Sequence, residues 1–253
     1  MKFKNVLTPS DLGLMLINRN DSIIGPTISQ VGSWESKYIR ALKQIIEQHY
    51  PGTDTVDIVD GGANYGVYSL AFSSLATRPT KVHAVEAQRL IFQMLNANMA
   101  LNSLENVWTY HAVLGEDNER SMLIAPPDLN HRANFGAFEI EKNVRSSDYD
   151  GTRFMVEEAV KSLCIDDLDL NRCALIKLDV EGMEASALRG ATGTIRRHRP
   201  VLFFERHKSD YEAIKDTLRP HGYTLWELDR ANVMATRSEW DITLTPSNKL
   251  QLA

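Results

Sequence analysis

From residue 56 onward the chain alternates short apolar runs with stretches of helical periodicity, and this alternation constrains the fold more than any other feature. Runs at 56–60, 81–86, 107–114, 174–179, 201–205 and 223–228 read as buried strands, and 240–244 offers a seventh. Between them, 65–76, 90–101, 183–197 and 211–218 read as helices, with apolar residues recurring at helical spacing in the longer ones. Strands that alternate with helices build a parallel sheet covered on both faces, because each crossover returns over the sheet and does so right-handed. The expected fold class is α/β, a Rossmann-like doubly wound, mostly parallel sheet. Residues 1–32 read as irregular, with Pro9, Gly13, Gly25, Pro26 and Gly32 as breakers. A helix starts near Ser33-Trp34-Glu35-Ser36 and stops before Pro51-Gly52. The chain thus divides into an N-terminal extension over 1–52 and one sheet domain over 53–253. Residues 126–153 interrupt the alternation. They are polar, carry Pro126-Pro127 and lack a period, and they read as a substrate-facing insertion.

Composition excludes several partner classes. A net charge of -5 gives no basic surface for nucleic acid, and the one basic cluster, Arg196-Arg197-His198-Arg199, ends a predicted helix where cations complement the dipole. The two cysteines, Cys164 and Cys173, match neither a disulfide framework nor a zinc spacing and read as small buried apolar residues. The N-terminal apolar run at 12–17 is too short for a membrane span, and no cleavage site follows it. The expectation is a cytoplasmic protein with no membrane partner. Oligomeric state is not legible, and a homo-oligomer stays open.

In doubly wound sheets, ligands bind beyond the carboxyl ends of the strands at the topological switch point. Asp60, Glu86, Asp179 and Glu205 all close predicted strands and would converge on that crevice. The first strand runs into Gly61-Gly62-Ala63-Asn64-Tyr65-Gly66, a turn whose glycines let backbone approach a ligand and whose helix start offers free N–H groups. A G-x-G-x-x-G frame started at Gly61 meets Ala63 at its third position, so the dinucleotide fingerprint is imperfect. An acidic residue just before the turn repels a pyrophosphate and suits a ligand with an amino group and a sulfonium. Glu86, 20 residues after Gly66, is placed to accept from ribose hydroxyls. His111 and Ala112 close the third strand and can flank a base, although His111 reads equally as a packed histidine.

The segment from Asp60 to Gly66 resembles the D-x-G-A-N-x-G signature of the FkbM family of methyltransferases. So do Asn102-Ser103-Leu104-Glu105-Asn106-Val107, Ile176-Lys177-Leu178-Asp179-Val180-Glu181-Gly182-Met183-Glu184, Leu188-Arg189-Gly190-Ala191 and Arg199-Pro200-Val201-Leu202-Phe203-Phe204-Glu205. These occur in family order over about 56–206. Gly61 departs from the pattern, which carries an apolar residue there. The resemblance implies a class I methyltransferase sheet of seven strands, S-adenosylmethionine as cofactor, and O-methylation of a sugar or natural product as the reaction. It places Asp60, Gly62, Asn64 and Gly66 on the methionine side, Glu86 on the ribose and Asp179 near the transferred methyl. Candidate cofactor contacts are then Asp60, Gly62, Ala63, Asn64, Tyr65, Gly66, Glu86, Ala87, His111, Ala112 and Asp179.

A hydroxyl acceptor gains from a nearby general base. Asp179, Glu181, Glu184, Glu205 and His207 are the candidates, with His207 or Asp179 preferred. Glu184 at the following helix start reads as a dipole-stabilising carboxylate. Asp179, Glu205 and His207 also suggest a divalent cation site, but the family signature requires no metal and none is assigned. Asn130-His131-Arg132-Ala133-Asn134-Phe135-Gly136 in the insertion can contact a polyhydroxylated or anionic acceptor or form a solvated loop. Trp34-Glu35 either closes over the cofactor or packs in the core. The alternatives are a nicotinamide-dependent oxidoreductase on a similar sheet and a non-catalytic adenosyl-binding scaffold.

Overall fold

The computed structural model describes residues 4–139, 144–145, 157–244 and 250–252. The chain opens on a hairpin, β1 (Asn5–Ser10) and β2 (Gly13–Asn18), followed by helices α1 (Ile24–Val31) and α2 (Ser36–His49). Next come β3 (Val56–Gly61), α3 (Val67–Phe72), β4 (Thr80–Glu86), α4 (Arg89–Leu101), β5 (Val107–His111), β6 (Val113–Leu114) and β7 (Ser121–Ile124). The pair β8 (Phe138–Glu139) and β9 (Val144–Arg145) lies within the insertion, and β10 (Glu158–Leu163) leaves it. The second half holds β11 (Cys173–Leu178), α5 (Glu184–Arg189), α6 (Thr192–His198), β12 (Val201–Glu205), α7 (Tyr211–Leu218), β13 (Tyr223–Glu227) and β14 (Asn232–Arg237). A last small pair is β15 (Ile242–Leu244) with β16 (Leu250–Leu252).

Seven strands form the central sheet in the order β13-β14-β12-β11-β3-β4-β5. The pairs from β12 through β5 are parallel, and β14 runs antiparallel to both of its neighbours. Strand order reverses between β3 and β11, which puts the switch point where Asp60 pairs with Lys177 and Gly61 with Leu178. Alternate residues along each strand face opposite sides. Ile58, Val82, Leu175 and Phe203 pack under α2, α3 and α4, while Val59, Val85, Ile176 and Phe204 pack under α5, α6 and α7. Burial on both faces explains why β3 and β11 read as continuous apolar runs broken only by charges.

Four boundaries differ from the sequence reading. Residues 5–31 are ordered as a hairpin and a helix, because Gly13 at φ 125° closes the turn and Pro9 occupies an outer strand. The hairpin is held by side chains: Asn98 exchanges hydrogen bonds with the Leu16 backbone, and Asn102 with that of Leu14. The helix expected at 183–197 is two helices. Gly190 lies so close to Gly115 that a Cβ would sit 2.0 Å from its carbonyl oxygen, and Asp166 caps the second helix through the Gly193 and Thr194 amides. The run at 107–114 leaves the sheet after His111, and Val113–Leu114 pair with β10 instead. The seventh strand is β14, not 240–244. It inserts between β12 and β13 after a tight turn that Asp229 closes by accepting from the Ala231 and Asn232 amides. Cys164 and Cys173 are free and buried, and no helix among the described residues is long and apolar enough to cross a membrane. Of the insertion at 126–153, residues 140–143 and 146–153 lie outside the described residues.

Candidate functional site

A cleft of about 250 Å³ opens at the carboxyl ends of β3, β4, β11 and β12. Its floor is Gly62, Asn64, Glu86 and Asp179. One wall is apolar, formed by Val85, Ala87, Ala112, Val113 and Leu114, and the far end is Glu181, Glu205, His207 and Lys208. A small inner lobe continues from it between Trp34, Glu35, Gly62, Ala63, Tyr68, Lys177 and Asp179. Two segments roof the cleft. Ile23 and Ile24 come from the N-terminal extension, and Asn134, Gly136 and Ala137 come from the insertion. Backbone bonds between Ser22 and Ala133, and between Ala133 and Asn20, stitch these segments together. Gln88 ties the roof to the floor through the Phe135 carbonyl.

The glycine turn is shaped by its neighbours. Gly62 sits at φ 69°, and a Cβ on it would lie 1.8 Å from the Asp179 carbonyl oxygen, so only glycine fits between β3 and β11. The amides of Gly62 and Ala63 both donate to the Val85 carbonyl. Asn64 N donates to Glu86, Tyr65 N to the Asn64 side chain and Gly66 N to the Ala63 carbonyl. The free donors expected of this turn are therefore all satisfied internally, and no amide of residues 62–66 is left for a phosphate.

Glu86 lies on the cleft floor with one oxygen on the Asn64 amide at 2.9 Å and the other on the Gln88 amide at 2.7 Å. Burial pushes its carboxyl up to about 7, against the pull of those two amides. Asp179 is half-buried at the junction of cleft and lobe, and its carboxylate has no hydrogen-bond or ion-pair partner among the described residues. Glu181 pairs with Lys208, and Glu205 contacts His207 Nδ1 at 3.4 Å. Burial raises Glu181 to about 8 and Glu205 to about 9, with the Asp179 charge adding to each. The cleft is thus short of positive charge.

Several predicted residues fall elsewhere. Asp60 is 1% exposed and does not line the cleft. It accepts from Ser69 Oγ at 2.6 Å and meets Lys177 Nζ at 3.2 Å. Tyr65 borders the inner lobe, but its side chain is buried with the hydroxyl beside Asp21. Gly66 faces α4, where a Cβ would strike Leu95 and Met99. His111 stacks on Phe92 and bonds the Ala87 carbonyl, outside the cleft lining. Glu184 accepts from the Val180 and Gly182 amides and from Ser209, which fixes the 180–183 turn. Asn130, His131 and Arg132 are exposed, so only the last part of that insertion segment reaches the cleft. Among the described residues no group of three His, Cys, Asp or Glu side chains is arranged to hold a metal, Asp179, Glu205 and His207 included.

The sequence reading gave Lys177 no role, although a lysine within an apolar run is itself a signal, since a lone ammonium is rarely buried without partners. Its ammonium donates to Gly61 O at 3.0 Å and Gly62 O at 2.8 Å and forms an ion pair with Asp60 Oδ1 at 3.2 Å. Burial pulls its pKa down, but Asp60, Asp179 and Glu35 more than offset this, so it stays charged. Gln88 and Lys208 carried no local signal.

The glycine turn and the Asp179-Val180-Glu181-Gly182 turn both lie in a segment that matches a known family. A profile of the family described as Methyltransferase FkbM domain matches residues 60–225. The chain belongs to the FkbM methyltransferase family. Comparison with solved structures finds a methyltransferase FkbM from Methylobacillus flagellatus KT at 17% identity and a TM-score of 0.49, covering 79% of this chain and 50% of that one. The chain therefore spans about half the length of that methyltransferase. M. jannaschii TYW2 in complex with AdoMet is similar at 13% identity and a TM-score of 0.44, covering 93% and 85% of the two chains. A precorrin-6y C5,15-methyltransferase from Geobacter metallireducens GS-15 is similar at 15% identity and a TM-score of 0.44, covering 85% and 96%. No curated protein matches the chain.

Proposed function

We propose that this FkbM domain is an S-adenosylmethionine-dependent methyltransferase that methylates a hydroxyl of a sugar or natural-product intermediate. The observation that carries the donor is the cleft floor: Glu86, fixed by two backbone amides, stands beside an apolar wall in a site with more carboxylates than cations. A carboxylate held this way accepts from ribose hydroxyls, Ala87, Ala112, Val113 and Leu114 flank a base, and a cleft whose carboxyls are held back from ionising only by burial and one another suits an entering sulfonium cation. The donor set fits S-adenosylmethionine. A nicotinamide dinucleotide fits less well, since its pyrophosphate would meet a turn whose amides are already bonded and a floor lined by acids.

When bound, this cofactor supplies a methyl group already activated for in-line displacement, so the protein's work is alignment. Gly62, Ala63 and Asn64 shape the methionine side, and Asp179 stands at the junction where the methyl would lie. His207 and Asp179 face the acceptor end as proton acceptors. Glu205 contacts His207 Nδ1 and turns the imidazole, while Glu181 and Lys208 neutralise each other at the rim. The roof residues Asn134 and Gly136 contact the acceptor. Calorimetric titration with S-adenosylmethionine and with NADH tests the donor, and only the first is expected to bind. Incubation of extract with deuterated S-adenosylmethionine, read by mass spectrometry, then names the acceptor. Donor binding without turnover over a broad acceptor panel would support the scaffold reading instead.

A further inference from the structure

The inner lobe has a feature that the glycine turn and Glu86 do not explain. Glu35 lies outside the segment matched to the family, in the N-terminal extension. It adopts φ 52°, a left-handed conformation rare for a glutamate, immediately before α2. Strain of this kind persists only where the surroundings enforce it, and it collects at ligand clamps. The conformation sends the carboxyl inward, where Tyr68 donates to Oε2 at 2.9 Å. No bond holds Oε1 among the described residues.

The lobe has a volume of about 20 Å³, room for one group the size of a water molecule or an ammonium. Its walls bring Glu35 and Asp179 together with Lys177. Lys177 attracts both, but its ammonium is paired with Asp60 and donates to the Gly61 and Gly62 carbonyls, and it makes no hydrogen bond to either among the described residues. With Asp60 behind the lobe, three carboxylates share one ammonium, and burial together with the Asp179 charge raises the Glu35 carboxyl above its ordinary value.

We infer that Glu35 is the acceptor for the α-ammonium of the methyl donor, with Asp179 at the mouth of the lobe facing the sulfonium. The assignment rests on the donor reading above. It makes the N-terminal extension part of the cofactor site, and Tyr68 the residue that aims Glu35.

The test compares two ligands on the wild type and Glu35→Gln by isothermal titration. S-adenosylmethionine carries the ammonium. Methylthioadenosine keeps the nucleoside and the sulfur but lacks the amino-acid part. Glu35→Gln is expected to weaken S-adenosylmethionine about tenfold or more and to leave methylthioadenosine unchanged. Unchanged affinity for S-adenosylmethionine, or equal loss on both ligands, overturns the assignment. A wild type that binds neither ligand overturns the donor reading and the assignment with it. If Glu35→Gln fails to fold, Tyr68→Phe serves in its place: it removes the hydroxyl that aims Glu35 and is expected to weaken S-adenosylmethionine selectively, while parallel loss of both ligands counts against the role.

Discussion

Replacing Lys177 with methionine keeps an unbranched apolar stem, shorter only by the ammonium end, and removes the charge and its donors. The ammonium is buried between Asp60 Oδ1 at 3.2 Å, Gly61 O at 3.0 Å and Gly62 O at 2.8 Å. Its loss leaves Asp60, itself 1% exposed, with Ser69 as its one hydrogen-bond donor, and takes the ammonium from the Gly62 carbonyl, while Gly61 keeps the Asp179 amide. Breaking a buried pair by removing one partner costs about 3–5 kcal/mol, most of it from the charge left uncompensated. That is a large share of an ordinary domain stability of about 5–15 kcal/mol, and for a chain of this size it corresponds to a fall in Tm of roughly 10 °C. The double variant Lys177→Met with Asp60→Leu removes both charges, so it should be less destabilised than the sum of its singles. Urea unfolding at neutral pH measures all four proteins. The lysine is held charged in the fold, so its contribution is fully present below the ordinary lysine range and lost only as pH rises above it. A single variant that loses under about 1 kcal/mol, or a cycle with no coupling, would refute the idea that this ion pair braces the turn.

Glu86→Ala is expected to weaken S-adenosylmethionine by about tenfold or more, and Asp179→Ala to lower turnover with a smaller effect on donor affinity; titration and single-turnover rates separate the two. The Glu86 carboxyl is raised from 4.5 to about 7, so its contribution to the stability of the free protein is full below pH 4.5 and is lost as pH rises through about 7. A ligand that favours the ionised form should then release a proton on binding in that window and bind more tightly toward its upper end. Calorimetry in buffers of different ionisation enthalpy reads the proton, and proton uptake would count against the ribose role. Gly62→Ala drives a Cβ to 1.8 Å from the Asp179 carbonyl and should cost more than about 2 kcal/mol, whereas Gly52→Ala, at φ 93° with open space around it, should cost about 1 kcal/mol from backbone strain alone; thermal melts compare them.

What the sequence determined by itself was the sheet and the part of the site that strand ends carry. Strands β3, β4, β11 and β12 are buried on both faces, so their apolar runs are local signals of a global position, and Glu86, Asp179 and Glu205 follow as the residues at which those runs stop. The acidic end of β3 followed the same local rule, yet Asp60 turned away from the cleft, because its charge is answered by Lys177 from the neighbouring strand. Tertiary contact alone decided the break at Gly190, the cap from Asp166, and the Asn98 and Asn102 bonds to the hairpin. Each of these joins a backbone group to a partner that sequence spacing does not reveal, or tests a glycine against atoms far along the chain. The roof and the inner lobe belong to the same class. Ile24, Glu35, Gln88, Asn134 and Lys208 come from separate segments, and no period marks them, since what they share is a space and not a face of one element.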